Sequence, residues 1–392
     1  SGVRLSEWGS CNFDLVKPIV RSFLQSAADF WLTVCHCDGL RFDAIRNVIY
    51  LQGDERNGVN PSGTYFLQQC NKGLRARHPH ALLIAEDSTS LIKVTAPVQY
   101  DGLGFDYKWD MGWMNDMLSY MSTDPLFRAG NHNKVTFSFF YAFSEHFVLP
   151  ISHDEVVHGK CSLINKMPGD YEQKFAGLRA FYGYMMAHPG KKLLFMGQEF
   201  AQFIEWNENQ QLDWMLLGYD RHAQMQEYVR RLNHLYQETP ALWEEDFSWE
   251  GFQWIVPDDS SQNVVVFLRR DKKGGEVIAV CNFAPVLRPD YKFGVPRAGQ
   301  YAELINSDAE EFGGTGQHNA PVRAKKQPMH GFDYSISLRV PPMSAVILRT
   351  PAAKPAKADG PAPKKAAARG ARAKPARKTA ARKTTGKQAK DA

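Results

Sequence analysis

Short apolar runs that end abruptly in polar or acidic residues constrain the fold of this chain more than any other feature. Helical patterns separate the runs, whose polar endings lie at 38–43, at Glu86 and Asp87, at 152–155 and at 197–199. This alternation predicts an α/β fold with a parallel sheet. It fits a (β/α)8 barrel, in which the carboxyl ends of the strands carry the chemistry. A doubly wound sheet shows the same alternation of strands and helices, but no Gly-x-Gly-x-x-Gly phosphate loop follows any predicted strand.

The pattern changes near residue 244, where short β patterns replace the helices. Six apolar runs follow, separated by turns rich in Pro, Gly and Asp, and they cover 252–256, 264–268, 277–281, 301–305, 334–338 and 345–348. These runs predict an antiparallel β-sandwich over 244–350.

The segment 351–392 contains no aromatic and no β-branched apolar residue. It cannot bury enough surface to fold, so we expect it to be a disordered tail.

The net charge of +5 is concentrated in this tail, which carries nine Lys and four Arg against two Asp. The rest of the chain carries 34 basic and 40 acidic side chains, so its balance is mildly acidic. Any nucleic-acid binding is therefore confined to the tail. A solvated extension without a partner is the alternative interpretation.

Membrane and disulfide signals are absent from the sequence. No apolar run approaches the roughly 18 residues that a helix needs to cross a bilayer, and no secretory signal is present. The six cysteines are scattered, and the close pair Cys35 and Cys37 has no second pair to complete a zinc site. We expect reduced thiols, and we predict a cytoplasmic monomer.

Arg41 and Asp43 form the first candidate site, because residues two apart on a strand point to the same face of a sheet. The Arg would hold the Asp ionised, which makes Asp43 a candidate nucleophile. A buried ion pair that closes a strand would give the same pattern.

Glu86 and Asp154 end two further strands, and glycoside chemistry uses two carboxyl groups around the scissile bond. Glu86 follows the apolar residues 82–85, which suits an acid that keeps its proton near neutral pH.

Candidate sugar-binding groups cluster in the same part of the sequence. His153, beside Asp154, can donate hydrogen bonds to a sugar hydroxyl. Trp109 and Trp113 are suited to stacking on sugar rings, and the further aromatic candidates are Tyr107, Tyr141, Phe143 and Trp206. Packing in the core is the alternative for each aromatic residue. The pattern alone indicates a carbohydrate site without specifying one.

Three motifs resemble signature blocks of the α-amylase superfamily of glycoside hydrolases and transglycosylases. They are Asp38-Gly-Leu-Arg-Phe-Asp43, Ala85-Glu-Asp-Ser88 and Ser152-His-Asp-Glu155, in that order. Within the superfamily, the chain over about 5–350 resembles the bacterial 1,4-α-glucan branching enzymes. The closer likeness rests on 83–90, 104–113, 150–160, 194–200 and the pair Glu205-Trp206.

The resemblance implies a role for each residue of the site. Asp43 would form a covalent glucosyl intermediate, and Glu86 would protonate the leaving oxygen and then activate the incoming 6-hydroxyl. Asp154 would stabilise the oxocarbenium-like transition state, with Arg41 holding the nucleophile and His153 contacting the sugar. The implied reaction retains configuration and turns an α-1,4 linkage of glycogen or amylose into an α-1,6 branch. It implies neither a metal nor an organic cofactor.

One block of the superfamily is missing from its expected place. The first block supplies an Asp and a His near the bound sugar, and no such block lies upstream of Asp38. The resemblance therefore predicts a partial barrel, about strands four to eight, over 1–243. The chain also begins at Ser1 without a Met. We expect a fragment of a longer protein whose open barrel edge leaves it poorly stable and inactive by itself.

Two other functions stay open on the sequence. An amylase-like α-glucan hydrolase would use the same carboxyl groups, with water in place of the 6-hydroxyl. A non-catalytic α-glucan-binding protein would bind the glucan without cleaving it. The intact set of Asp43, Glu86 and Asp154 argues against this alternative.

Overall fold

The computed structural model describes residue 9 and residues 11–352, and all of these fall in one compact unit. Its first part is a parallel sheet of five strands in the order β1-β2-β3-β4-β5. The strands are β1 (Gly39–Phe42), β2 (Leu82–Ala85), β3 (Tyr107–Trp109), β4 (Phe147–Ile151) and β5 (Lys191–Leu194). The helices are α1 (Pro18–Thr33), α2 (Arg46–Ile49), α3 (Pro61–Arg77), α4 (Met111–Ser122), α5 (Asn133–Thr136), α6 (Tyr171–Ala187) and α7 (Asp220–Glu238). From residue 353 onwards, the predicted disordered tail lies outside the described residues.

The register of the sheet brings the carboxyl ends of its strands to one edge. Arg41 pairs with Ile84, Ile84 with Tyr107, and Trp109 with Val148, and every pairing is parallel. The inner strand β4 is buried at all five positions, whereas the two outermost strands, β1 and β5, are half-buried throughout. The structure confirms the predicted half-barrel of alternating strands and helices.

Helix α1 has an apolar side that the described residues leave uncovered. Pro18 begins the helix, at a position where its missing N–H costs nothing. Leu32 is buried against the sheet, but Ile19, Phe23 and Trp31 are each more than half exposed. None of the helices within 11–352 combines the length and the apolar character that a membrane span requires.

The second part of the structure is all β and antiparallel. Six strands form one sheet in the order β11-β10-β13-β8-β7-β6, and two strands form the sheet β12-β9. The strands are β6 (Phe252–Asp259), β7 (Val264–Arg270), β8 (Glu276–Asn282), β9 (Arg288–Val295), β10 (Gln300–Asn306), β11 (Val322–Arg323), β12 (Tyr334–Val340) and β13 (Ser344–Arg349). All six predicted runs lie on strands, which confirms the sandwich, and β9 and β11 are additional.

One hydrophobic core joins helix α6 to the six-stranded sheet. Tyr184 of α6 and Phe267 of β7 belong to the same buried cluster, and their rings meet edge to face at 6.1 Å. The buried Arg269 of β7 donates a hydrogen bond to the carbonyl oxygen of Ala187, at the end of α6, at 2.7 Å. The barrel and the sandwich are therefore packed as one unit, and a domain boundary at 243/244 stays a prediction.

Candidate active site

Asp43, Glu86 and Asp154 meet at the edge of the sheet where strands β1, β2 and β4 end. All three line one cavity of about 420 Å³. The rest of its wall consists of Ala44, Arg46, Asn47, Asp87, Ser88, Met111, His153, Glu155 and Lys160. The structure thus brings together the three carboxyl groups that the sequence singled out.

A tight turn after β1 fixes the position of Asp43. Arg41 Nη2 donates a hydrogen bond to Asp43 Oδ1 at 2.8 Å. The next residue, Ala44, has a left-handed backbone with φ of 42°, which is uncommon for a residue with a Cβ. Its N–H donates a hydrogen bond to Glu86 Oε2 at 2.5 Å. The strained turn that presents one carboxyl group therefore also holds the other.

Glu86 lies deeper in the protein than Asp43. The side chain of Asp43 is 74% exposed, whereas Glu86 is half-buried. Burial raises the pKa of Glu86 above its ordinary value, the Ala44 N–H and Arg41 oppose this effect, and the negative charges of Asp43 and Asp154 add to it. Glu86 therefore keeps its proton to higher pH than an ordinary glutamate, as a general acid requires.

Asp154 is presented by a single 3-10 turn, His153–Glu155, directly after β4. Ser152 Oγ accepts a hydrogen bond from the N–H of Asp154 at 3.3 Å and so caps the turn. His153 Nε2 lies 3.2 Å from Asp154 Oδ1. Lys160 Nζ donates to the carbonyl oxygen of Asp154 at 2.7 Å. His153 and Asp154 thus stand side by side in the cavity wall.

A buried ion pair, which the sequence analysis did not identify, supports the loop after Glu86. Lys108 Nζ lies 2.8 Å from Asp87 Oδ2, and the two side chains are 6% and 0% exposed. Lys108 Nζ also donates to the carbonyl oxygen of Thr89 at 3.0 Å. The signal in the sequence was a Lys in the middle of an apolar run that ends at Trp109, because a buried charge requires a partner.

Trp109 and Trp113 line neither this cavity nor the one beside it. Trp113 is completely buried in the core, where its ring stacks on Phe181 at 6.0 Å. Trp109 is 4% exposed and lies against the guanidinium group of Arg41. A sugar ring stacks only on an accessible aromatic face, so the burial of both rings argues against the expectation that these two residues bind the substrate.

A second cavity of about 580 Å³ adjoins the first and shares His153 with it. The half-buried ring of Trp206 lines this cavity and stands edge-on to His153 at 6.2 Å. Glu205 accepts hydrogen bonds from the N–H groups of Gly159 at 3.0 Å and Cys161 at 2.6 Å. Among the predicted aromatic residues, Trp206 is the one that borders His153 and lines a cavity.

The described part of the chain contains no group of three or more His, Cys, Asp or Glu residues that could hold a metal ion. All six cysteines lie within this part and none forms a disulfide.

Comparison with known proteins agrees with both parts of the fold. Residues 254–351 match the family described as the C-terminal all-beta domain of alpha amylase. Over 356 residues the chain is 51% identical to a Halothermothrix orenii protein named 1,4-alpha-glucan branching enzyme GlgB, and the match covers 88% of this chain and 56% of that protein. A protein of the same name from Bacillus caldolyticus is 52% identical over 344 residues, with coverages of 87% and 52%. The chain spans about half the length of the curated relatives it matches.

Two solved structures share the fold at low sequence identity. An α-amylase from H. orenii superimposes with a TM-score of 0.57 at 14% identity, over 88% of this chain and 67% of that one. A pullulanase from Bacillus acidopullulyticus gives a TM-score of 0.62 at 14% identity, over 88% and 42%. The two solved structures are similar to this chain in fold alone. The two proteins named branching enzyme are similar in sequence, with identities near 50% over most of the described residues. Over most of its length the chain is therefore similar to proteins named 1,4-alpha-glucan branching enzyme, and its sandwich matches the C-terminal all-beta domain of alpha amylase.

Proposed function

We propose that the protein containing this chain is a branching enzyme, which cleaves an α-1,4-glucan and transfers the released segment to a 6-hydroxyl group. The observation that carries the proposal is the contrast between two neighbouring carboxyl groups. Asp43 is exposed and held by Arg41, whereas burial raises the pKa of Glu86. Such a pair suits the nucleophile and the acid of a retaining reaction, and the relatives' names supply the branching activity.

In the first step, Asp43 attacks the anomeric carbon of the donor sugar and forms a covalent glucosyl ester. Glu86 gives its proton to the glycosidic oxygen that leaves. Arg41 orients the attacking carboxylate through its 2.8 Å hydrogen bond. His153 and Asp154 bind hydroxyl groups of the same sugar, and the carboxylate of Asp154 stabilises the positive charge that develops on the ring.

In the second step, the ionised Glu86 removes the proton from the 6-hydroxyl of an acceptor chain. The acceptor oxygen attacks the ester, forms the α-1,6 bond and releases Asp43. Two inversions at the same carbon leave the α configuration unchanged. The reaction needs no metal or organic cofactor, because side chains of this cavity supply the nucleophile, the acid and the base.

Iodine staining of amylose, combined with an assay for reducing ends, separates this proposal from hydrolysis. The complete natural protein should remove the iodine colour without a matching rise in reducing ends, because every cleavage is followed by transfer. A parallel rise in reducing ends would identify a hydrolase and overturn the proposal.

Substitution of the nucleophile separates catalysis from simple glucan binding. Asp43→Ala should abolish the change in iodine colour, whereas Asp290→Ala, which removes an exposed carboxylate in the sandwich, should leave it intact. Full activity of Asp43→Ala would contradict the assigned nucleophile. Retained binding of amylose by a wild-type protein that causes no change in the polymer would identify a non-catalytic binding protein.

The assays call for the complete protein because the described half-barrel is open. Strands β1 and β5 each pair with a single neighbour among the described residues, and the candidate nucleophile is 74% exposed. We expect residues 1–392 by themselves to be poorly stable and inactive.

We further propose that the protein acts on α-1,4-glucan as a cytoplasmic monomer, with any nucleic-acid contact confined to the tail.

A further inference from the structure

Strand β3 supplies none of the three candidate catalytic carboxyl groups, yet one of its residues contacts the group that holds the nucleophile. The guanidinium carbon of Arg41 lies 4.2 Å from the ring centroid of Trp109. Trp109 is 4% exposed and the side chain of Arg41 is 26% exposed, so most of this contact is shielded from solvent. The guanidinium group therefore lies between an indole ring and the carboxylate of Asp43, which accepts its hydrogen bond at 2.8 Å.

The register of the sheet explains how side chains from β1 and β3 can meet. Strand β2 lies between them, with Ile84 paired to Arg41 on one side and to Tyr107 on the other. Trp109 stands two residues beyond Tyr107 and therefore points to the same face of the sheet. A long Arg side chain and a large indole ring together span the intervening strand.

The contact with Trp109 adds a second constraint on the orientation of Arg41. Its Nε atom is buried and has no hydrogen-bond partner within the described residues. The hydrogen bond to Asp43 alone leaves the guanidinium free to rotate about that bond. The indole face attracts the cation and restricts the plane in which it lies, so the group points its Nη2 atom at the carboxylate.

We propose that Trp109 is a positioning residue for the nucleophile, acting through Arg41 and making no contact with the sugar. This inference rests on the proposed function, because it gives Asp43 the role of nucleophile. A Trp at this position that only filled space would tolerate any apolar side chain of suitable volume. A Trp that orients a cation requires an aromatic face.

The test compares Phe and Met at two buried Trp positions of the complete protein, since the two side chains are similar in volume and only Phe has an aromatic face. Trp109→Phe should retain most of the activity. Trp109→Met should lower kcat by on the order of ten- to a hundredfold with little change in KM, because a misplaced nucleophile slows the chemistry and not the binding. At Trp113, which is also buried and lies in the core on Phe181, Phe and Met should give the same kcat.

A double-mutant cycle with Arg41→Ala tests whether Trp109 acts through the guanidinium. In the Arg41→Ala background, Trp109→Phe and Trp109→Met should have equal kcat, because no cation remains to be oriented. Equal kcat for the two Trp109 variants in the wild-type background, or an undiminished difference between them in the Arg41→Ala background, would overturn the inference. Wild-type activity that survives Asp43→Asn would instead refute the proposed function itself, so the two failures are distinguishable.

Discussion

The backbone N–H of Ala44 donates a hydrogen bond to Glu86 Oε2 at 2.5 Å, so the residue that follows the candidate nucleophile holds the candidate acid. The bond joins the ends of β1 and β2, and it depends on the left-handed backbone of Ala44, with φ of 42°. A shift of this turn would therefore move both carboxyl groups. The separation between the nucleophile and the acid is set by the backbone rather than by side-chain rotamers alone.

Substitutions at Ala44 should reveal this coupling. Ala44→Gly keeps the N–H and tolerates a positive φ, so it should retain activity. Ala44→Pro removes the donor and forces φ near −65°, and leaving a buried hydrogen-bonding group without its partner costs about 1–3 kcal/mol. We expect Ala44→Pro to lower kcat at least tenfold. Equal kcat for the Pro and Gly variants, measured on folded protein, would show that the contact is dispensable.

Glu86 should make the protein less stable as the pH rises. Burial raises the pKa of Glu86 in the folded protein, so its stabilising contribution is complete below the ordinary glutamate pKa and is lost as the pH rises through the folded value. The variant Glu86→Gln cannot ionise. Its melting temperature should therefore rise relative to wild type as the pH rises above the ordinary glutamate pKa.

Glu205→Gln provides a control of opposite sign. The N–H groups of Gly159 and Cys161 lower the pKa of Glu205, so its contribution is present above the ordinary pKa and is lost as the pH falls. Its Gln variant should therefore lose stability relative to wild type as the pH rises towards the ordinary glutamate pKa, and the difference should stay constant at higher pH. A Glu86→Gln variant that behaves like Glu205→Gln would contradict the assigned environment of Glu86.

Breaking the buried ion pair beneath the site should destabilise the protein strongly. Lys108→Met leaves Asp87 buried without its cationic partner, and removing one member of such a pair typically costs about 3–5 kcal/mol. Lys108→Met combined with Asp87→Asn should recover part of this loss, because no unpaired charge remains. Urea titration measures both effects, and a double variant that is less stable than Lys108→Met would argue against the ion pair.

The sandwich is expected not to fold by itself when the chain is divided at 243/244. Its six-stranded sheet shares a core with α6, in which Phe267 packs on Tyr184. An isolated segment 244–352 would expose this face to water. Its circular dichroism and amide proton dispersion should be those of a partly unfolded chain. A cooperative thermal transition of the isolated segment would show instead that the boundary separates independent folding units.

The sequence predicts an element of this fold best where its hydrophobic periodicity agrees with the capping and breaking residues at its ends. Both ends of helix α6 (Tyr171–Ala187) are marked in the sequence, because Asp170 caps its start and Pro189-Gly190 follows its end. Strand β9 was missed because Tyr291, Phe293 and Val295 alternate with polar residues or glycine over a short span flanked by prolines. Strand β11, with two residues, gives no periodic signal at all.

The sequence predicted the carboxyl groups of the candidate site, but it did not predict the residues that hold them in position. Strand ends of a parallel sheet converge, which is why Asp43, Glu86 and Asp154 could be grouped from their order in the chain. The function of Trp109 could not be read in the same way, because sugar stacking and core packing use the same residue types. Its contact with Arg41 depends on strand register, and the chain sequence does not specify register directly.

The covalent intermediate provides the most direct test of the central claim that Asp43 attacks the sugar. The complete protein would be incubated with a 5-fluoro glycosyl fluoride of the α series, which slows breakdown of the intermediate, and then digested for peptide mass spectrometry. The account predicts one sugar-bearing peptide with the modification on Asp43, and no adduct in the Asp43→Asn variant. An adduct on a different residue, or turnover of the reagent with no covalent adduct, would contradict it.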